Sequence, residues 1–291
     1  SPGEGPGLLK SEYTFSMNFD LIKNIFKNHA FKNNSSIIYN HGFCCSTLLC
    51  RLLEESHNVL SLKEPPLINT LKHHLQSNND SQLIDVIFSL HNRSYKDDQK
   101  VLWKPSDYAF DLIYRSESLN IPSIYLFSPL REYIASCSKE KRTEWIKNRA
   151  NYNKIIRYFN LSENGVDISN TAIQATLYWC YFAKKVTDLS LKNNILALNS
   201  NNLLNNPNLV DKVGAHLKLK KKFNLFKEIN IKKLLTTYSK TDDYKFDKDS
   251  RTKQLNKIIN DNIKDIEKAE KLAEIILNCQ IKDFKFKKEI I

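Results

Sequence analysis

Short runs of β-branched and aromatic residues alternate along this chain with longer stretches whose apolar residues recur every three or four positions. Ile37, Ile38 and Tyr39 predict a strand that stops at Asn40-His41-Gly42, and Ser46 to Glu55, with Leu48, Leu49, Leu52 and Leu53 at helical spacing, predict the helix after it. A second short strand runs up to Glu64, where Pro65-Pro66 break it, and helices follow over 67–76 and 82–91. Val101-Leu102-Trp103 and Ile121 to Phe127 predict two more strands, ending at Lys104-Pro105-Ser106 and Ser128-Pro129, with a helix over 107–118 between them. A helix at 131–136, a strong helix at 171–189 and a strand at 195–198 come next, then a helix ending at Gly214-Ala215-His216-Leu217 and a long one carrying Leu255, Ile259, Ile263, Ile266, Leu272 and Ile276. Near the start, Phe19, Leu21, Ile22, Ile25 and Phe26 predict a short amphipathic helix. The alternation predicts an α/β protein, with a central mostly parallel sheet flanked by helices and a helical C-terminal extension.

Composition narrows this little. A hydrophobic content of 41% and a charged content of 26% over 291 residues fit one globular domain, and no apolar run is long enough for a membrane span. The net charge of +12 suits nucleic acid, a membrane surface or a small polyanion. The lysines are spread along the chain, so the expectation is a solvated basic surface with no nucleic-acid partner. Six cysteines without CxxC pairs or a signal peptide predict neither zinc nor disulfides and point to a reducing cytoplasm. Adjacent His73 and His74 point to different helix faces and predict no metal site. Three of the six glycines and two of the eight prolines fall within the first seven positions, and Met17 is the only methionine. We therefore expect a vector-derived leader over 1–16 and one domain over 17–291, with 221–291 as its C-terminal loop and helix extension.

The chemistry concentrates between the first strand and its helix. Gly42-Phe43-Cys44-Cys45-Ser46-Thr47 forms a small-residue loop closing on a helix start, where unpaired backbone N–H groups and the helix dipole favour an anion. Cys44 and Cys45 precede Ser46, so the lysine of a Walker phosphate loop is missing and an ATPase or GTPase is disfavoured.

The run Gly-Phe-Cys-Cys-Ser-Thr-Leu-Leu-Cys-Arg, followed by Leu-Lys-Glu-Pro-Pro, resembles the nucleotide-binding start of sulfotransferases that use 3′-phosphoadenosine 5′-phosphosulfate (PAPS), nearest their bacterial and tyrosylprotein-sulfotransferase-like branch. Ser46, Thr47, Leu48 and Arg51 match that family's loop, whereas its cationic residue falls on Phe43 and its glycine on Cys45. The resemblance implies a three-layer P-loop-like fold and a PAPS site at Gly42 to Thr47, with adenosine 3′,5′-diphosphate as product and no metal. It implies Glu64 as general base, and Lys104, in a Lys-Pro-Ser element similar to the family's Lys-Asp-Pro, as the cation for the transition state. The family's 3′-phosphate element, an arginine at a strand end with a serine eight residues on, falls on Ser128 and Ser136, so Arg131 stands in for the arginine. Lys240 and Arg251 are the candidates to fold over the nucleotide.

Three readings stay open: a sulfotransferase, a nucleotide-dependent kinase, and a binding protein on a degenerate sulfotransferase fold. The acceptor is a hydroxyl of unidentified class, His41 is the next candidate base after Glu64, and a homodimer is left open. The basic stretch 139–149 around Trp145 suits an acceptor or partner surface.

Overall fold

Strands buried on both faces need apolar residues at successive positions, which is what the short runs supply. The computed structural model describes Leu21, Asn24 and residues 34–68, 81–92, 94, 96–190, 195–225, 227–237 and 248–290. Strands β1 (Ser35–Asn40), β2 (Val59–Lys63), β3 (Lys100–Lys104), β4 (Ser123–Phe127), β5 (Leu196–Asn199) and β6 (Glu289–Ile290) form one parallel sheet in the order β2-β3-β1-β4-β5-β6. Helix α1 (Ser46–Ser56) links β1 to β2, and α2 (Ser81–His91) precedes β3. A 3₁₀ turn (Asp107–Leu112) and α3 (Ile113–Ser118) lead to β4. Between β4 and β5 lie α4 (Leu130–Cys137), α5 (Glu140–Lys147), α6 (Tyr152–Tyr158) and α7 (Thr171–Ser190). The chain then forms α8 (Ser200–Asn205), α9 (Leu209–His216), α10 (Lys227–Thr236), α11 (Lys248–Asp261) and α12 (Ile263–Leu277).

The period of two along β1 sorts the core into two layers. Ile37 and Tyr39 join Trp103, Tyr125 and Phe127 under α4, α7 and α12, while Ile38 joins Leu102, Ile124 and Leu198 under the leucines of α1 and under Val210 and Val213 of α9. The result is helix layer, sheet, helix layer. The chain leaves β1 toward β2 and leaves β4 toward β5, so the connections diverge between two neighbouring carboxyl ends, which is where open α/β sheets form their crevice.

Several expectations change. The sheet is wholly parallel, not mostly so. The helix over 107–118 is split, because Ala109 at φ −89°, ψ 17° interrupts the helical backbone. The long final helix is two, broken at Asn262 (φ −119°), and its first half starts before Arg251, which is helical and not in a loop. The C-terminal segment packs on the core: α12 lies on α7, Phe286 is buried against Tyr125 and Phe127, and β6 closes a sheet edge. The helices over 19–26 and 67–76, with His73 and His74, lie largely outside the described residues.

Candidate functional site

The loop after β1 is shaped by its own backbone. Asn40 starts it, its Oδ1 accepting from the Gly42 N–H at 3.0 Å while its Nδ2 donates to the Pro105 carbonyl at 3.2 Å. Gly42 has φ +87° and faces the Trp145 ring, which a Cβ would meet at 3.2 Å, so both dihedral and space call for glycine. Phe43 and Cys45 are also left-handed, at φ 53° and 63°, and Cys45 caps α1 without a side-chain hydrogen bond. Cys45, where the resembled loop carries glycine, thus holds a left-handed backbone at a strain of about 1–2 kcal/mol. Left-handed residues leading into a helix N-terminus turn successive N–H groups toward one concavity, the backbone form of an anion site.

Beneath the loop the side chains serve the interior. His41 is fully buried, its ring centroid 4.3 Å from that of Tyr133, and its Nε2 accepts from the Ser128 N–H at 3.0 Å. Burial pushes its pKa down to about 3, so it is neutral and structural, which corrects its candidacy as a base. Ser128 is buried too, with its hydroxyl 3.1 Å from that of Ser200 and its carbonyl accepting from Trp179 Nε1 at 2.9 Å.

Glu64 and Lys104 meet at the carboxyl ends of β2 and β3. The Glu64 N–H donates to the Lys104 carbonyl at 2.7 Å, and the Lys104 ammonium contacts Glu64 Oε1. The lysine side chain is 2% exposed and the glutamate 54% exposed, so a buried cation holds a carboxylate that opens onto the cavity. Glu64 reaches this position through a left-handed residue, φ 55°. Lys63 is paired with Glu54 at 2.8 Å instead.

The cavity over loop and pair measures about 720 Å³, a common size for a small-molecule site. Its far wall is cationic. Lys139, Arg142, Trp145 and Arg149 recur at spacings of three and four residues and line it from around α5. The Arg142 guanidinium lies 4.1 Å over the Phe43 ring and donates to the Ser136 carbonyl at 3.3 Å. Arg149 stacks 4.5 Å over Trp145 and grips Asp107 with Nε and Nη2, and Asp107 also accepts from the Tyr178 hydroxyl at 2.7 Å. Arg251 of α11 completes the wall. Burial, then Arg142 and Arg251, push the Lys139 pKa from the ordinary 10.5 down to about 8. Five cations thus face two carboxylates, an arrangement suited to a polyanion.

Most sequence candidates converge here: Gly42, Phe43, Cys44, Cys45, Ser46, Thr47, Glu64, Lys104, Ser136 and Arg251 all line the cavity. Arg131 does not. Its guanidinium forms two hydrogen bonds to Glu270 of α12, at 2.9 and 2.5 Å, so the structure engages it there and not in the cavity lining. Lys240 lies outside the described residues. Within 139–149, Lys139, Arg142, Trp145 and Arg149 line the cavity while Lys141, Glu144, Lys147 and Asn148 are exposed, and Lys139, Arg142, Arg149 and Asp107 are site residues the motifs missed. The helical stripe formed by Lys139, Arg142, Trp145 and Arg149 was the available signal.

Asp107 and Arg149 also border a second cavity of about 420 Å³ that includes Tyr158, Tyr178, Tyr181 and Phe182 in its lining. Among the described residues, no group of three or more His, Cys, Asp or Glu is placed to hold a metal ion. No protein-family model matches this chain, and no curated protein matches it by sequence.

Proposed function

We propose that this protein is a sulfotransferase that moves the sulfuryl group of PAPS to a hydroxyl acceptor. The observation that carries the reading is the pairing of Glu64 with buried Lys104 at the rim of a five-cation cavity, over a strand-loop-helix start that lacks the Walker lysine.

The residues fit the demands of such a donor. The N–H groups at the start of α1 and the ammonium of Lys104 suit the 5′-phosphosulfate end. Ser136, with Arg142 and Lys139 beside it, suits the 3′-phosphate in place of Arg131. In the transfer, Glu64 takes the proton of the acceptor hydroxyl as that oxygen bonds to sulfur. The bond from sulfur to the bridging phosphate oxygen breaks, and Lys104 holds the negative charge developing there. Adenosine 3′,5′-diphosphate leaves. No metal is needed in this scheme, because fixed cations supply the charge.

Thermal unfolding titrated with adenosine 3′,5′-diphosphate, adenosine 5′-monophosphate and ATP tests the donor. A ligand bound by the native state alone stabilises by RT ln(1 + [L]/Kd), about 2.7 kcal/mol at a hundredfold excess over Kd. The bisphosphate should shift the melting temperature furthest. A response to ATP with none to the bisphosphate would favour a kinase and refute the proposal. Bisphosphate binding without turnover of labelled PAPS across acceptor classes would leave a binding protein.

A further inference from the structure

At the opposite end of the sheet, where the strands begin, stands a surface the cavity does not use. Phe223 and Leu225 are 88% and 80% exposed, the two most exposed large apolar side chains among the described residues, and Ile229 is 65% exposed. Scattered exposed apolar residues are ordinary, but three within seven positions at this exposure form a protruding patch. The segment carrying them is fixed. The Asn58 N–H donates to the Lys220 carbonyl at 2.8 Å, the Lys222 N–H to the Ser56 carbonyl at 3.0 Å, and the Asn224 and Asn230 amides both donate to Glu55. Phe223 and Leu225 are therefore held out from the protein by a tethered backbone.

The surroundings are basic. Residues 218–233 contain seven lysines, at 218, 220, 221, 222, 227, 232 and 233, against one carboxylate, Glu228. Asp211 engages Lys221 and Lys227 at 3.0 and 3.1 Å, while Lys218, Lys220, Lys222, Lys232 and Lys233 are exposed. Lys100, at the start of β3, adds to the field, its pKa lowered by burial and by Lys218.

We propose that residues 218–233 dock the protein on an anionic lipid bilayer, with Phe223, Leu225 and Ile229 entering the interface and the lysines meeting acidic headgroups. Apolar tips ringed by lysines match that partner on both counts. A second copy of the chain suits the patch poorly, because an isologous contact would set like charge against like. Nucleic acid would use the lysines and leave the aliphatic tips in water. Helix α10 packs on α1 and runs from this patch to Thr237 on the cavity wall, roughly 15 Å for its ten residues, so the patch and the cavity are separate surfaces.

The test is co-sedimentation of the full chain with phosphatidylcholine vesicles and with vesicles that also carry phosphatidylserine. The expected result is salt-sensitive binding to the anionic vesicles alone. Replacing Lys220→Gln with Lys222→Gln should weaken it about thirtyfold, roughly fivefold per lysine. Replacing Phe223→Ser with Leu225→Ser should weaken it on the order of a hundredfold. Both double variants should keep the wild-type melting temperature and nucleotide response, since the altered side chains are exposed and far from the cavity. Absence of wild-type binding, equal binding to both vesicles, or unchanged binding by either variant would overturn the proposal. Self-association lost in the apolar variant without vesicle binding would assign the patch to a second copy. RNA binding that only the lysine variant loses, without vesicle binding, would assign it to nucleic acid.

Discussion

Lys139 offers a direct measure of whether the cavity is built for a polyanion. Its ammonium lies beside Arg142 and Arg251, and burial with those two charges lowers its pKa to about 8. A bound polyanion should neutralise that crowding and return the pKa toward the ordinary 10.5. From these two values the free protein holds the Lys139 proton in about 90% of molecules at pH 7 and about 10% at pH 9, whereas the complex keeps it throughout. Affinity for adenosine 3′,5′-diphosphate should therefore fall about tenfold from pH 7 to pH 9, with uptake of about 0.7 proton per ligand near pH 8.5. Neighbouring groups do not mimic this. Gln254, which accepts from Lys139 at 2.7 Å, does not titrate, and burial holds the Cys45 thiol above its usual range. A phosphate monoester completes its ionisation near pH 6.

Calorimetry at pH 8.5 in two buffers of different ionisation enthalpy reads the proton uptake directly. Lys139→Arg should keep the affinity at pH 7 and abolish its pH dependence. The stability of the ligand-free protein should move the other way. With the folded pKa below the unfolded one, the unfolded chain binds more protons between pH 8 and 10.5, so this site adds stability as pH rises through that window. A flat affinity from pH 7 to 9, or a slope that survives Lys139→Arg, would refute the assignment of the cationic wall.

Glu64→Gln should lower transfer by about a hundredfold or more while nucleotide affinity holds or rises, because Lys104 loses a competing carboxylate; near-normal turnover would remove Glu64 as the base. Arg142→Ala should weaken adenosine 3′,5′-diphosphate by roughly tenfold or more and adenosine 5′-monophosphate much less, whereas Arg131→Ala should spare both; calorimetry giving the reverse order would restore the assignment of Arg131. Gly214→Ala would place a Cβ in the His57 ring and should destabilise the protein by about 1–3 kcal/mol in denaturant unfolding, so an unchanged midpoint would mean that the ring is free to move.

The strands were legible because a doubly covered parallel strand must be apolar at consecutive positions, as Ile37-Ile38-Tyr39 and Ile124-Tyr125-Leu126-Phe127 are. A strand of two residues carries no such pattern, so β6 left no trace in the sequence. The apolar spacing through Leu255 to Ile276 continues across Asn262, and only the backbone there records the break. Glu64 and Lys104 could be found because each directly follows or ends a strand whose exit is fixed by the sheet. Arg131 could not be placed by counting from Ser136, since its partner Glu270 comes from a helix far along the chain. The cationic wall was hidden for a related reason. A basic helix face is ordinarily solvated, and only the packing of Phe43 and Gly42 against Arg142 and Trp145 turns this one inward.

The position of β6 bears on how the protein is made. Synthesis proceeds from the N-terminus, so Tyr125, Phe127 and Trp179 leave the ribosome long before Phe284 and Phe286, the rings that pack against them. Until those rings arrive, an aromatic surface and the open edge of β5 face solvent or a chaperone, and Arg251 has not yet come to its wall of the cavity. A half-made chain is thus adhesive and unable to form the complete cavity, and a stalled ribosome would hold a species prone to aggregate.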